Sequence, residues 1–215
     1  MKFRNFVSMN VAVIGAGKVT KVLSRRLVMA GHNVFIGIQD HDFKYDHSWI
    51  EDYDDIYLGS IEEAGSWADV IIIATEAAQV RAVSYFLEDV RSKIIIDCSS
   101  VVAAPNYEKV IHTASVIKLI TGCAHVVKCF NYSGYEKLLH ACFKMGPNDM
   151  AVAGGSRRAR QIAGLLAADL GMSNYHDLGN DDMVRLLEDM AIYWVKLAMQ
   201  EDAPDRREEL VKILK

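Results

Sequence analysis

Asn10-Val-Ala-Val-Ile-Gly-Ala-Gly-Lys-Val-Thr-Lys-Val-Leu-Ser-Arg-Arg-Leu27 decides the fold of this chain. Val11 to Gly15 is an apolar run of strand length. After it, Val19, Val22, Leu23, Leu27 and Ala30 recur at three- and four-residue steps, the spacing of one helix face. Gly31 stands where helices end on a left-handed residue. A strand, a glycine turn and a helix in that order open a dinucleotide-binding βαβ unit. Gly15 permits the tight turn. Gly17 has no Cβ, so a pyrophosphate can lie against the main chain, and the free N–H groups of the helix start point at the anion. Thr20 replaces the third glycine of the pattern, which predicts slightly looser packing of helix on strand.

Outward from this unit, Asn33-Val-Phe-Ile-Gly-Ile38 reads as the second strand, whose end faces the adenosine ribose. An NAD enzyme usually ends this strand with a carboxylate. Here Ile38 and Gln39 stand there, and the first acid, Asp40, comes late. No arginine is present for a 2′-phosphate, but Gln39 can donate, and Lys18 or Lys44 can supply charge. By elimination NADP is favoured, with NAD left open. The acidic run Glu51–Asp55 reads as a solvated loop face, and Trp49 and Tyr53 as surface packing.

A third strand near Ile56–Leu58 and a short helix from Ile61 to Trp67 precede Val70-Ile-Ile-Ile-Ala-Thr75, a central parallel strand by its unbroken apolar character. Helix Gln79–Arg91, strand Ile94–Asp97, helix Tyr107–Ile120 and strand Val126–Phe130 follow. The carboxyl ends of these strands bring Thr75, Glu76, Ser99, Ser100 and Asn131 to one crevice. After Gly146-Pro147 come a strand at Met150–Ala153, a helix closed by Gly171 and led by Arg157, Arg158 and Arg160 as solvent-exposed groups, and a strand near Tyr175–Leu178. The final helix, capped by Asn180 or Asp181, has two apolar stripes: Met183, Leu187, Met190, Trp194 and Leu197, and Val184, Ala191, Val195 and Ala198. A helix apolar on two sides is buried on two sides, which predicts a homodimer through it.

The expected class is α/β: a Rossmann-like, doubly wound, mostly parallel sheet with a C-terminal helical segment. Residues 1–9 form an N-terminal extension. Residues 10–200 form one dinucleotide-binding domain with 150–200 as its C-terminal subregion, and 201–215 a charged tail.

Composition narrows the function. The 215 residues are 51% hydrophobic with a net charge of −4, so no basic field recruits nucleic acid or anionic membrane. Residues Met1 to Met9 contain no long apolar region, and no signal peptide or membrane span is expected. Cys98, Cys123, Cys129 and Cys142 lack CxxC or zinc spacing; reduced thiols in a cytoplasmic protein are the expectation. The seven histidines show no metal-ligand spacing, so no metal is assigned. Neither a Ser-His-Asp set nor paired carboxylates appear, which leaves hydrolysis without support.

Taken together, Ile14-Gly-Ala-Gly-Lys-Val19, Leu27-Val-Met-Ala-Gly-His-Asn-Val-Phe-Ile-Gly37 and Val126-Val-Lys-Cys-Phe-Asn131 resemble NADP-dependent reductases of the deazaflavin (coenzyme F420) class. Asp177-Leu-Gly179 and the helix from Leu186 to Ala198 are similar to that family's small C-terminal part. The first three segments are also similar to the cytosolic domains of six-transmembrane ferric reductases. The resemblance covers most of residues 10–199. It implies hydride transfer between the nicotinamide of NADP and a flavin or deazaflavin ring, a small-molecule redox acceptor. Geometry suffices for such transfer, with no obligatory acid or base. The cofactor-binding set is Gly15, Ala16, Gly17, Lys18, Val19, Ile38, Gln39, Thr75, Glu76, Ser99, Phe130 and Asn131; no catalytic residue is assigned.

This chain departs from the family at three strand ends. It has Ile38-Gln39 where members carry Ser-Arg, Ser100-Val101 where they carry Asn-Pro, and Glu76-Ala77 where a proline is common. Two further readings therefore stand beside the first. One is a reductase of a small carbonyl or imine, with Lys128 or Tyr132 as proton donor. The other is a nucleotide-binding sensor or regulatory protein without turnover.

Overall fold

The computed structural model describes residues 8–39, 42, 46–99, 112–130 and 149–198. Eight strands form one sheet in the order β3-β2-β1-β4-β5-β6-β7-β8. They are β1 (Asn10–Ile14), β2 (Asn33–Ile38), β3 (Ile56–Ser60), β4 (Val70–Ile73), β5 (Ile94–Asp97), β6 (Val126–Cys129), β7 (Asp149–Ala153) and β8 (Asn174–Asp177). All neighbours pair in parallel except β6 with β7. The strand order turns back on itself between β1 and β4, and this switch point is where an open α/β sheet leaves a crevice for ligand.

The central strands are sealed on both faces, as their unbroken apolar runs require. Ile71, Ile72, Ile73, Ile95 and Ile96 have no exposed surface, and each contributes about 1.5–3 kcal/mol by burial. One face carries α1 (Lys18–Met29) and, in chain order, the fifth described helix, Arg157–Asp169. Val22, Leu23 and Leu27 pack there with Ala159, Ala163 and Leu166. The other face carries α2 (Ile61–Trp67), α3 (Val80–Tyr85), α4 (Thr113–Thr121) and the start of the sixth described helix, Asp182–Ala198. With Arg157–Asp169 as α5 and Asp182–Ala198 as α6, the doubly wound α/β expectation is met.

Glycines end the helices where expected. Gly31 has φ +91° behind α1, and His32 N–H returns to the Leu27 carbonyl at 3.0 Å. Gly171 does the same for α5 at φ +86°, and Gly122 ends α4 at φ +65° with its own N–H on the Lys118 carbonyl at 3.0 Å. At the other end of α2, Ser60 and Glu63 cap each other's backbone N–H.

Several expectations need correction. The helix expected over Gln79–Arg91 is only Val80–Tyr85; beyond it the chain turns, with Asp89 at φ +53°, and Leu87 and Val90 reach the core from that turn. Arg160 is buried, against the expected exposure: Nη1 donates to the Gly154 carbonyl at 2.5 Å and Nε lies 2.6 Å from Asp177. Arg157 and Arg158 are exposed. Asp181, one of the two expected caps of α6, directs its carboxylate to Gly155 N–H and Lys118 Nζ. On α6, Val184 and Leu187 are buried, but so is Glu188. The side chains of Ala191, Trp194, Val195, Leu197 and Ala198 lie outside the description, as do Asp40, Lys44, Ser100, residues 107–111, Tyr132, Cys142 and the tail.

Candidate functional site

The glycine turn is locked by both flanking strands. Gly15 N–H donates to the Gly37 carbonyl of β2 at 3.0 Å. At φ +136°, a Cβ on Gly15 would stand 2.7 Å from the Ala74 carbonyl oxygen behind β4. Only glycine fits there. Gly17 is a different case: its backbone is extended, and a Cβ would meet nothing within 4 Å. The space above Gly17 is therefore open, and the first turn of α1 rises from it. No side chain caps α1, and its first turn has no acid. Its leading N–H groups and positive dipole end suit an anion.

A cleft of about 250 Å³ lies over this turn. Gly15, Ala16 and Gly17 form its middle, Ile38 and Gln39 one end, and Thr75 and Glu76 the other. Seven of the expected cofactor-binding residues thus share one cleft. Lys18 lines an adjoining groove on the α1 face. Val19 is half-buried against the core. Ser99 and Phe130 are buried, at 1% and 2% exposure. The Ser99 hydroxyl is spent on Asp97, and Phe130 joins the core on the α1 face, so neither side chain lines the cleft. Asn131 lies outside the described residues.

Among the lining residues that the sequence did not assign, Gln79, Val83 and Asp42 stand out. Gln79 stands beside Glu76, Val83 contributes from α3, and Asp42 stands beside Gln39. Asp42 reaches the cleft because its N–H closes a turn on the Gln39 carbonyl at 2.8 Å. An acid thus stands at the end of the cleft that Ile38 and Gln39 line. Thr20 and Thr75 each carry a hydroxyl oxygen that is buried without a hydrogen-bond partner. Thr20 sits under the turn, its Oγ1 3.1 Å from the position of a Gly15 Cβ. Such orphans are costly, and they mark places where a ligand or water completes the bonding.

Behind the strand ends lies a sealed polar cluster. Lys128 on β6 and Asp97 on β5 are Cα partners in the sheet. Lys128 Nζ donates to Asp97 Oδ2 at 2.9 Å, the Ser99 carbonyl at 2.8 Å and Thr113 Oγ1 at 2.8 Å. Ser99 Oγ donates to Asp97 Oδ1 at 2.5 Å, and Thr113 Oγ1 to Asp97 Oδ2 at 2.5 Å. Glu188 of α6 stands 3.7 Å from Lys128 Nζ, and its other oxygen lies 2.7 Å from His112 Nδ1. Lys128, Asp97 and Glu188 are each at most 1% exposed. The cluster pins α4 and α6 to the two strands. All three ammonium protons of Lys128 are engaged inside it, so Lys128 has none to offer the crevice.

The three described thiols, Cys98, Cys123 and Cys129, are buried. Desolvation first, with the charge of Asp97 adding, pushes the Cys98 thiol up to about 12, and burial raises Cys123 and Cys129 as well. Such thiols are inert as nucleophiles. Among the described residues no group of three or more acidic, histidine or cysteine side chains gathers to hold a metal, and no helix is long and apolar enough to cross a membrane.

Residues 10–101 match the family described as NADP oxidoreductase, coenzyme F420-dependent. The resemblance expected from the sequence is borne out over this stretch. Among solved structures, a putative F420-dependent NADP reductase from Arthrobacter sp. FB24 superposes with TM-score 0.75, at 23% identity, over 88% of this chain and 93% of that one. A hypothetical protein from Sinorhizobium meliloti gives TM-score 0.68 and 21% identity over 80% and 85%. An imine reductase from Pseudomonas sp. gives 0.64 and 17% over 89% of this chain and 64% of its own length. At these identities the likeness establishes the Rossmann-like fold. No curated protein matches.

Proposed function

We propose, taking the match of residues 10–101 to NADP oxidoreductases as the premise, that this protein is an NADP(H)-dependent oxidoreductase acting on a flavin or deazaflavin acceptor. The observation that carries the reading is the turn at Gly15–Gly17, with open space at Gly17 and an uncapped α1 behind it. The main-chain amides there hold the diphosphate. Ile38, Gln39 and Asp42 flank the adenosine ribose, and Ala74, Thr75 and Glu76 the path toward the nicotinamide. When bound, the dinucleotide supplies a hydride at its nicotinamide ring. The chain's part is to hold and orient the two rings and to exclude water.

The sealing of Lys128 favours this reading over a carbonyl or imine reductase that uses Lys128 as acid. Steady-state oxidation of NADPH with FMN, FAD and a deazaflavin, against small ketones and cyclic imines, tests it. Turnover with a flavin-type ring is expected. Saturable nucleotide binding with no oxidation by any acceptor contradicts it and leaves the sensor or regulatory reading.

Two assembly properties complete the proposal. The apolar stripes of α6 support a homodimer through that helix; sedimentation equilibrium of the full chain is expected to give twice the chain mass, and a monomer contradicts it. The three described thiols, buried and free, support a reducing, cytoplasmic setting.

A further inference from the structure

Beside the main cleft, on the α1 face, lies a groove of about 150 Å³. The first turn of α1 forms one wall through Lys18, Thr20 and Lys21. Asp46, His47 and Trp49 form the other. The two depressions meet at Gly15, Ala16 and Gly17, which line both. A ligand with a diphosphate on that turn can therefore reach both with different parts of itself.

The groove has the chemistry of a phosphate monoester site. Lys21 Nζ stands 5.2 Å from the centroid of the Trp49 ring, so the half-buried indole holds the ammonium over the groove by a cation–π contact. Lys18 is a second cation on the same wall, and His47 faces them with its Nε2 tied to the Asp42 carbonyl at 3.1 Å. Thr20 lines the groove at 2% exposure with a hydroxyl oxygen that has no partner. Among the described lining residues Asp46 is the one acid; its Oδ1 accepts from Ser48 N–H at 2.9 Å, and this bonding, with the Lys21 charge adding, holds its carboxyl below the usual value. The main cleft has the opposite bias at its ribose end, where Asp42 stands beside Gln39 and none of the described lining residues is a cation.

We propose that the 2′-phosphate of NADP(H) is taken by this groove between α1 and residues 46–49, with Lys21 as the residue that discriminates NADP(H) from NAD(H). The proposal rests on the nucleotide-binding reading above and moves the discriminating charge from the end of β2 to α1. Asp42 repels a 2′-phosphate from the cleft, while Lys21 and Lys18 attract it across the turn. A charge-assisted bond of this kind corresponds to about 10- to 100-fold in affinity.

The test is calorimetric titration of the full chain with NADPH, NADH, 2′,5′-ADP and 5′-ADP, for the wild type, Lys21→Ala and Lys21→Arg. Circular dichroism checks that the variants are folded. Lys21→Ala is expected to weaken NADPH and 2′,5′-ADP by about 10- to 100-fold and NADH and 5′-ADP by less than about twofold. Lys21→Arg is expected to keep the preference. Equal weakening of both dinucleotides assigns Lys21 to the shared diphosphate and overturns the proposal, as does no weakening. A wild type that binds NADH as tightly as NADPH overturns this proposal alone. A wild type that binds neither defeats the nucleotide-binding reading itself.

Discussion

Lys128 and Asp97 face each other across β6 and β5, their charged ends 2.9 Å apart at 1% and 0% exposure. Two strands, α4 and α6 converge on that pair through Thr113 and Glu188. A buried pair of this kind contributes less to net stability than its loss would cost, because removing one partner strands the other charge. Lys128→Met is expected to lower the unfolding free energy by about 3–5 kcal/mol in urea titration. Adding Asp97→Asn is expected to cost less than the sum of the two single changes, since the stranded carboxylate is gone. Strict additivity would mean that the two groups do not interact.

Gly15 and Gly17 separate fold from binding. Gly15→Ala forces a Cβ to 2.7 Å from the Ala74 oxygen at φ +136°, and backbone strain alone there costs about 1–3 kcal/mol. Thermal unfolding of Gly15→Ala is expected well below the wild type. A melting point equal to the wild type's would show that β1 and β4 can part at no cost.

Gln39 lines the main cleft beside Asp42. With the 2′-phosphate in the α1 groove rather than at the end of β2, Gln39→Arg is expected to change the NADPH-to-NADH affinity ratio by less than about twofold. A ratio raised about tenfold would return the 2′-phosphate to the end of β2 and contradict the α1 groove.

The β1–α1 unit, the strand sequence and the helix-ending glycines were legible because each rests on local pattern: unbroken apolar runs, helical spacing and positive φ. The middle of the cleft was legible for the same reason. The side chains of Ser99 and Phe130 turn inward because a residue after a strand has two directions to point, and Asp97 and the core hold them. Lys128 within an otherwise apolar strand was a signal of a facing acid. Its partners Asp97, Thr113 and Glu188 come from three distant segments, and only the register of β5 with β6 unites them. Lys21 went unread because its partner Trp49 belongs to a distant stretch of the chain, and only the fold brings the two together.

His32 gives a pH dependence. Its Nδ1 accepts from Met9 N–H at 3.2 Å and Nε2 lies 3.3 Å from Asp169. Burial lowers its pKa from 6.5, outweighing the opposing pull of Asp169. A histidine with a depressed folded pKa contributes stability that is fully present above the unfolded value and lost as pH falls through 6.5 toward the folded value. The melting point is expected to fall between about pH 7 and pH 5, and His32→Gln is expected to flatten that limb. A slope unchanged in the variant assigns it to other groups.

The central claim is that bare main-chain amides at the glycine turn hold a dinucleotide diphosphate. Gly17→Val tests it most directly, because the extended backbone of Gly17 accepts valine and a Cβ there meets no protein atom within 4 Å. Calorimetric titration with NADPH is expected to show saturable binding to the wild type and none to a Gly17→Val variant of unchanged melting point. Equal affinity in the two proteins contradicts the account.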